Sequence, residues 1–222
     1  MKKISLIVAA GLFALSLAAA ETNSMPESTE AKYTAAIEGR TADILKALAL
    51  TDADKAAKVH DAILTQYRAL NAWHNENDAK LKASAKDTNA VAQIRASLKI
   101  IHDSFITKLS ESLTAPQVEA VKDKMTYNKV KVTYDAYCEI IPTLTGAQKA
   151  HILATLKAAR EEAMDGGSAD EKSAIFKKYK GRIANYLSKE GVDETKARKE
   201  WGAKQKEKSA AAAEIKTNAL VK

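Results

Sequence analysis

Apolar residues recur every three or four positions along most of the chain, which is the spacing of one buried face of an α-helix. The clearest run has six members: Val91, Ile94, Leu98, Ile101, Phe105 and Leu109. Similar stripes lie within residues 30–48, 51–82, 115–125, 133–141, 145–163, 168–187 and 193–201. Eight glycines and three prolines are too few for the many turns of a β-sandwich or barrel. The pattern predicts an all-α protein, a single irregular bundle of about seven or eight helices.

The dipeptide Leu-Thr marks the expected start of three helices. It occurs at Leu50-Thr51, Leu113-Thr114 and Leu144-Thr145, and Asp54, Gln117 and Gln148 follow three residues after each Thr. A Thr hydroxyl there caps free backbone N–H groups, and the third helical residue can reach back to the cap. The spacing therefore predicts that each Thr is an N-cap. Gly166-Gly167 is expected to end the helix that Thr145 opens, because glycine readily adopts the left-handed conformation of a C-cap.

The N-terminus has the three parts of an export signal. Lys2 and Lys3 are basic, residues 4–17 are apolar, and residues 18–20 are alanines of the kind that precede a signal peptidase site. We expect residues 1–20 to be cleaved and the mature protein to be periplasmic or extracellular, without a transmembrane segment. Residues 21–29 are then predicted to be a linker, residues 30–205 the helical domain, and residues 206–222 a basic, low-complexity C-terminal tail.

The net charge of +7 is concentrated at the two ends of the chain. Lys2 and Lys3 supply two positive charges, and residues 196–222 hold eight basic and three acidic residues, which gives +5. An exported protein without a basic motif interleaved with aromatic residues is not expected to bind nucleic acid. Cys138 is the only cysteine, so no intramolecular disulfide can form.

No complete catalytic or metal-binding motif is present in the sequence. His-Glu-x-x-His, Cys-x-x-Cys, Gly-x-Ser-x-Gly and Gly-rich phosphate loops are all missing. His74 and Asp78 lie one helical turn apart and could share a metal, but no third ligand is visible, so a solvated polar face is the favoured interpretation. We therefore predict no metal, no cofactor and no catalytic residue.

The first candidate binding segment is Ala-Arg-Glu-Glu-Ala-Met-Asp, residues 159–165. The carboxylates of Glu161 and Asp165 are four residues apart and share a helix face, with Arg160 beside them. Such a pair could act as acid and base on a substrate. It could equally be an ion-pair network that joins two helices, and this structural interpretation is favoured.

The second candidate binding segment lies in the following helix, where Lys178, Arg182 and Asn185 share a polar face. This face could bind a carboxylate or a sulfate, or it could pair with Glu161 and Asp165 inside the protein. Gly181 interrupts the same helix and costs about 1 kcal/mol relative to Ala. Close approach of a neighbouring helix or of a ligand would offset that cost.

Seven segments in order resemble an uncharacterised family of exported bacterial proteins, the domain-of-unknown-function family 3826. They are Leu-Thr-Asp-x-x-Lys (50–55), Gln-Tyr-Arg-x-Leu-Asn-x-Trp-His (66–74), Ile-Pro-x-Leu-Thr (141–145), Ala-Arg-Glu-Glu-Ala-Met-Asp (159–165), Lys-Tyr-Lys-Gly-Arg-Ile (178–183), Asn-Tyr-Leu (185–187) and Lys-Glu-Trp (199–201). One departure is Ala184, where the family pattern has Asn. The resemblance implies a polysaccharide-utilisation setting but no activity. Leu-Thr-x-x-Gln at 113–117 and 144–148 is also similar to small periplasmic helical chaperones.

These observations predict an exported helical protein that binds a partner rather than catalyses a reaction. The partner is unknown, and a glycan or another exported protein would fit. Two alternatives stay open: a periplasmic chaperone-like protein with an exposed concave apolar face, and a glycan-active enzyme that uses Glu161 and Asp165.

Overall fold

Eight α-helices joined by short turns form the part of the chain that the computed structural model describes, residues 29–220, with side chains described for residues 29–211. They are α1 (Thr29–Leu48), α2 (Ala53–Ala83), α3 (Thr88–Ser110), α4 (Ala115–Met125), α5 (Lys129–Ile140), α6 (Gly146–Met164), α7 (Ala169–Lys189) and α8 (Glu194–Leu220). No strand occurs within residues 29–220. The predicted all-α bundle is therefore confirmed.

The predicted export signal, residues 1–20, lies outside the described residues, as does the predicted linker apart from Thr29, which begins α1. At the other end, α8 continues through the basic segment as far as Leu220. No helix within residues 29–220 is long and apolar enough to span a membrane.

Two clusters of buried apolar side chains form the core. The first, here called the N-terminal core, is built by α1–α4 and includes Ile37, Ile63, Leu109 and Val121. The second, the C-terminal core, is built by α5–α8 and includes Ile152, Leu156, Ile183 and Leu187. Met164, the last residue of α6, packs in the N-terminal core. The C-terminal end of α6 is therefore the point at which the two cores join.

The helix starts follow the predicted caps at two of the three Leu-Thr sites. Thr114 and Thr145 are N-caps, and the backbone N–H of each donates to the side-chain oxygen of the Gln three residues later at 3.0 Å. The prediction for Thr51 is wrong, because Asp52 is the N-cap of α2 and its carboxylate accepts from the Lys55 N–H at 2.9 Å. An ionised carboxylate caps free N–H groups and also interacts favourably with the positive end of the helix dipole.

A buried guanidinium joins α6 to α4. Arg160 is only 2% exposed, and it donates to Asp123 at 2.8 Å and Glu119 at 2.6 Å, both on α4. It also donates to Glu161 at 3.0 Å. A buried charge is tolerated only when it is paired and hydrogen-bonded, and removing its partners or the charge itself leaves uncompensated groups. These three carboxylates meet that requirement for Arg160.

We predict that Arg160→Ala lowers the free energy of unfolding by about 3 kcal/mol, because it removes charge-assisted hydrogen bonds to three carboxylates and leaves a cavity where the buried side chain lay. The control is Arg182→Ala on α7, where the guanidinium is exposed and lies 4.2 Å from the centre of the Tyr179 ring. Loss of that exposed contact should cost less than about 1 kcal/mol. Urea unfolding measures both variants, and equal losses would contradict the structural role of Arg160.

Candidate functional site

The six predicted site residues fall into two groups that do not meet. Arg160, Glu161 and Asp165 lie on the last turns of α6 and contact α3 and α4. Lys178 reaches α6 but binds the carboxylate of Glu162, with N–O distances of 2.5 and 2.8 Å. Arg182 stacks on Tyr179 and Asn185 is exposed. Pairing of Lys178 or Arg182 with Glu161 and Asp165 is therefore not present among the described residues.

Glu161 is held by cations on both of its oxygens. Its Oε1 accepts from Arg160 Nη2 at 3.0 Å, and its Oε2 accepts from Lys122 Nζ at 2.9 Å. The Oε2 atom also lies 3.8 Å from Nε2 of His102, on α3. Both oxygens of Glu161 are therefore engaged by cationic side chains of the protein. The surroundings of Glu161 are those of an ion-pair network.

Asp165, the C-cap of α6, binds two imidazoles at once. Its carboxylate accepts from His102 Nδ1 at 3.0 Å, and its backbone carbonyl faces His74 Nε2 at 2.7 Å. The hydrogen bond to Asp165 raises the pKa of His102, and burial opposes it in part. Cationic groups at a helix C-terminus also interact favourably with the helix dipole. Asp165 therefore ties α2 and α3 to the end of α6.

His74 is buried, so its predicted position on a solvated polar face is wrong. Its Nδ1 lies 2.8 Å from the Asp78 carboxylate, while Nε2 faces the Asp165 carbonyl. A carboxylate and a carbonyl both accept hydrogen bonds, so the two bonds form together only when both ring nitrogens carry hydrogen, which is the cationic form of the ring. Burial alone would lower the pKa of His74, but the bonds to Asp165 and Asp78 outweigh burial and raise it.

Gly167 is needed because the His74 ring packs closely against it, and not because it forms a left-handed cap. A Cβ atom at this position would lie 2.7 Å from Cγ of His74, closer than real side chains allow. Among the described glycines only Gly191 has a positive φ, 76°. At Gly181 the expected close approach of a neighbouring helix is not present, because a Cβ there would meet nothing within 4 Å. Neither a neighbouring helix nor any other described part of the chain explains that glycine.

A groove of about 380 Å³ adjoins this network between α3, α6 and α7. Its acidic lining residues are Asp103, Glu161, Glu162, Asp165 and Glu171. Each already accepts a hydrogen bond from a described residue. The pairs are Lys99 with Asp103, Lys122 with Glu161, Lys178 with Glu162, His102 with Asp165, and the Gly167 N–H with Glu171. No group of three or more His, Cys, Asp or Glu residues within the described part of the chain could hold a metal ion. Each acidic side chain of the groove wall is therefore already paired with a residue of the protein.

A larger and more apolar groove, of about 740 Å³, runs between α2 and α3. Its apolar lining consists of Ala62, Ala69, Ile100, Ile101 and Phe105. Ile100 is 70% exposed. Gln66 also lines this α2–α3 groove, and its amide nitrogen is buried without a hydrogen-bond partner among the described residues. An unpaired buried donor costs about 1–3 kcal/mol.

The sequence matches the model of a family described as a protein of unknown function (DUF3826) over residues 34–207. The chain belongs to the DUF3826 family. Among curated proteins, none matches it. The matched residues run from α1 into α8, so the α6 network and both grooves lie within the DUF3826 region.

Sequence reasoning missed polar residues of this DUF3826 chain that occupy apolar helical stripes. Gln66 lies between Ile63 and Leu70 in the stripe of α2, and His102 lies between Leu98 and Phe105 in that of α3. Lys172 likewise precedes Phe176 by four residues in α7 and is buried. Burial of a hydrogen-bonding side chain on such a stripe costs free energy unless the side chain has a partner. A polar residue on an apolar stripe is the sequence signal that could have identified Gln66, His102 and Lys172.

We predict that Gly167→Ala destabilises the protein by about 1–3 kcal/mol, because the new methyl group displaces the His74 ring from its hydrogen bonds. The control is Gly181→Ala, which fits in open space within α7 and should stabilise by about 1 kcal/mol through helix propensity. Thermal unfolding of both variants is the measurement. A gain in stability for Gly167→Ala would show that His74 does not pack as described.

The raised pKa values of His74 and His102 predict a fall in stability with rising pH. Their contribution is complete below their ordinary value of 6.5 and is lost as the pH rises through the higher folded-state values. Urea titrations at several pH values above 6.5 should therefore show a shallower decline for His102→Asn than for the natural protein. Parallel pH profiles for the two proteins would rule out His102 as a contributor.

Proposed function

We propose that the protein is an exported binding protein, and that the α2–α3 groove holds an apolar segment of a partner protein. The observation that carries this proposal is the mainly apolar exposed lining of this groove, which includes Ile100. A peptide segment is a suitable occupant, because it has apolar side chains for the apolar lining and backbone groups that can hydrogen-bond to the polar lining residues.

The exposure of Ile100 supports a partner rather than a purely structural role. Exposed large apolar side chains are common when scattered singly, but Ile100 belongs to a groove whose floor is also apolar. Charged residues of both signs stand among the lining residues: Lys58, Asp61, Lys108 and Glu111. An apolar centre with a polar rim is the general composition of a protein interface.

The predicted signal peptide supports a partner in the same compartment. Cleavage after residue 20 would release the helical domain into the periplasm or the medium. A glycan is a poorer occupant of this groove, because sugar hydroxyls need many polar partners and the exposed lining of the groove is mainly apolar. The α6 network does not favour a glycan-active enzyme, since the oxygens of Glu161 are already bound by cations.

A chaperone-like function is the second candidate, and the apolar α2–α3 groove is the observation that favours it. It differs from the first in specificity, because a chaperone accepts many unfolded clients. Suppression of aggregation of several unrelated clients would favour the chaperone. No suppression at excess protein would reject it and leave the selective binding protein.

We predict saturable binding of the neutral fluorescent probe N-phenyl-1-naphthylamine, and its displacement by an uncharged leucine-rich peptide. Ile100→Glu should weaken probe binding about tenfold or more, since burial of an isoleucine is worth about 1.5–3 kcal/mol. Fluorescence titration gives the Kd of each variant.

The matched control is Val132→Glu. Val132 is 64% exposed on α5 and does not line the groove, so the substitution should leave the Kd unchanged. Equal weakening by the two substitutions, or no effect of Ile100→Glu, would contradict binding in the α2–α3 groove. Displacement by dodecanol but not by the peptide would contradict a protein partner.

A further inference from the structure

A basic cavity of about 670 Å³ lies where α1, the α4–α5 turn and α7 meet. Four cationic side chains and one carboxylate line it: Arg40, Lys46, Lys124, Lys172 and Asp43. A smaller recess of about 70 Å³ shares Arg40, Tyr67, Tyr127 and Lys172 with it. With all four cations charged, the lining has an excess of three positive charges. Such a concentration of like charge raises the local concentration of anions.

Lys172 supplies a buried ammonium without a carboxylate partner. It is 5% exposed, and its Nζ donates to the backbone carbonyls of Met125 at 3.2 Å and Met164 at 3.4 Å. No carboxylate of the described residues lies within ion-pair distance of it. Burial, together with the charge of Arg40, lowers the pKa of Lys172 to about 8. An ammonium has three N–H donors, so one remains for a ligand.

Arg40 supplies a second cation with unused donors. Its guanidinium carbon lies 5.9 Å from the centre of the Tyr67 ring, and within residues 29–211 no carboxylate forms an ion pair with it. A guanidinium presents five N–H donors in a planar fork that matches the oxygens of a carboxylate, sulfate or phosphate. The unpaired fork lines both the cavity and its inner recess.

The α4–α5 turn places an aromatic side chain at the cavity at the cost of backbone strain. Tyr127 and Asn128 are consecutive non-glycine residues with φ values of 59° and 54°. Both line the cavity, and Tyr127 is exposed. Left-handed conformations of such residues persist only where surrounding structure fixes them, and they are frequent at ligand sites.

We propose that this cavity binds a small organic anion, with its carboxylate, sulfate or phosphate group on Arg40 and Lys172 and its body against Tyr67 and Tyr127. A bare inorganic ion would fill only a small part of the cavity, whose volume is in the range of sites for small organic ligands. This site is separate from the α2–α3 groove, with which it shares no lining residue.

Isothermal titration calorimetry with glucuronate, inorganic sulfate, inorganic phosphate and glucose, at constant ionic strength, tests the proposal. The expected result is saturable binding of glucuronate, weaker binding of the two inorganic ions, and none of glucose. Binding of inorganic ions alone would overturn the assignment of an organic ligand. Absence of binding by any of the three anions would overturn the site.

Matched variants locate the bound anion. Arg40→Gln should weaken glucuronate binding about tenfold or more, through loss of a charge-assisted bidentate contact. Arg182→Gln removes the same charge from the exposed face of α7 and should leave the Kd unchanged. Lys172→Met should also weaken binding. If that variant does not fold, the Kd of Arg40→Gln, a substitution at an exposed residue, tests the site by itself. A loss caused by Arg182→Gln and not by Arg40→Gln would place the anion on α7 and overturn the proposal.

Discussion

The buried ion pairs of Arg160 are the constraint on which the arrangement of the two cores depends. A guanidinium that is 2% exposed must have its charge compensated, and it obtains two of its three carboxylates from α4. Within two turns of Arg160, the α6 segment also binds α2 through His74, α3 through His102 and α7 through Lys172. The C-terminal end of α6 is thereby fixed from four sides, and Met164 is inserted into the N-terminal core.

This arrangement separates the polar groups that hold the fold from those available for binding. Glu161 and Asp165 attract attention in the sequence, yet their oxygens are bound by residues of the protein. An unpaired cation lies elsewhere, on Arg40 at the basic cavity. A dense cluster of charged residues in the sequence is therefore a weaker guide to a binding site than a charged side chain that has no partner inside the protein.

Helical periodicity was sufficient to predict the fold class and most helix boundaries, because burial of an apolar face dictates that spacing. It could not predict which polar residues come together, since that depends on the packing of helices distant in the chain. Arg160 illustrates the limit. Its position four residues after Leu156 places it on the buried stripe of α6, but its partners on α4 are about 40 residues away in sequence. For Gly167, glycine chemistry suggested a cap, whereas contact with His74, distant in sequence, gives the actual reason.

The central claim is that the α6 network joins two cores into one cooperative unit, and the two tryptophans allow a direct measurement. Trp73 lies on α2 and Trp201 packs against the C-terminal core, so Trp201→Phe and Trp73→Phe leave one fluorescent reporter for each half. Urea unfolding followed in both proteins should give coincident transitions, and these should separate when Arg160→Ala is added. Transitions that are already separate with Arg160 intact would contradict the account.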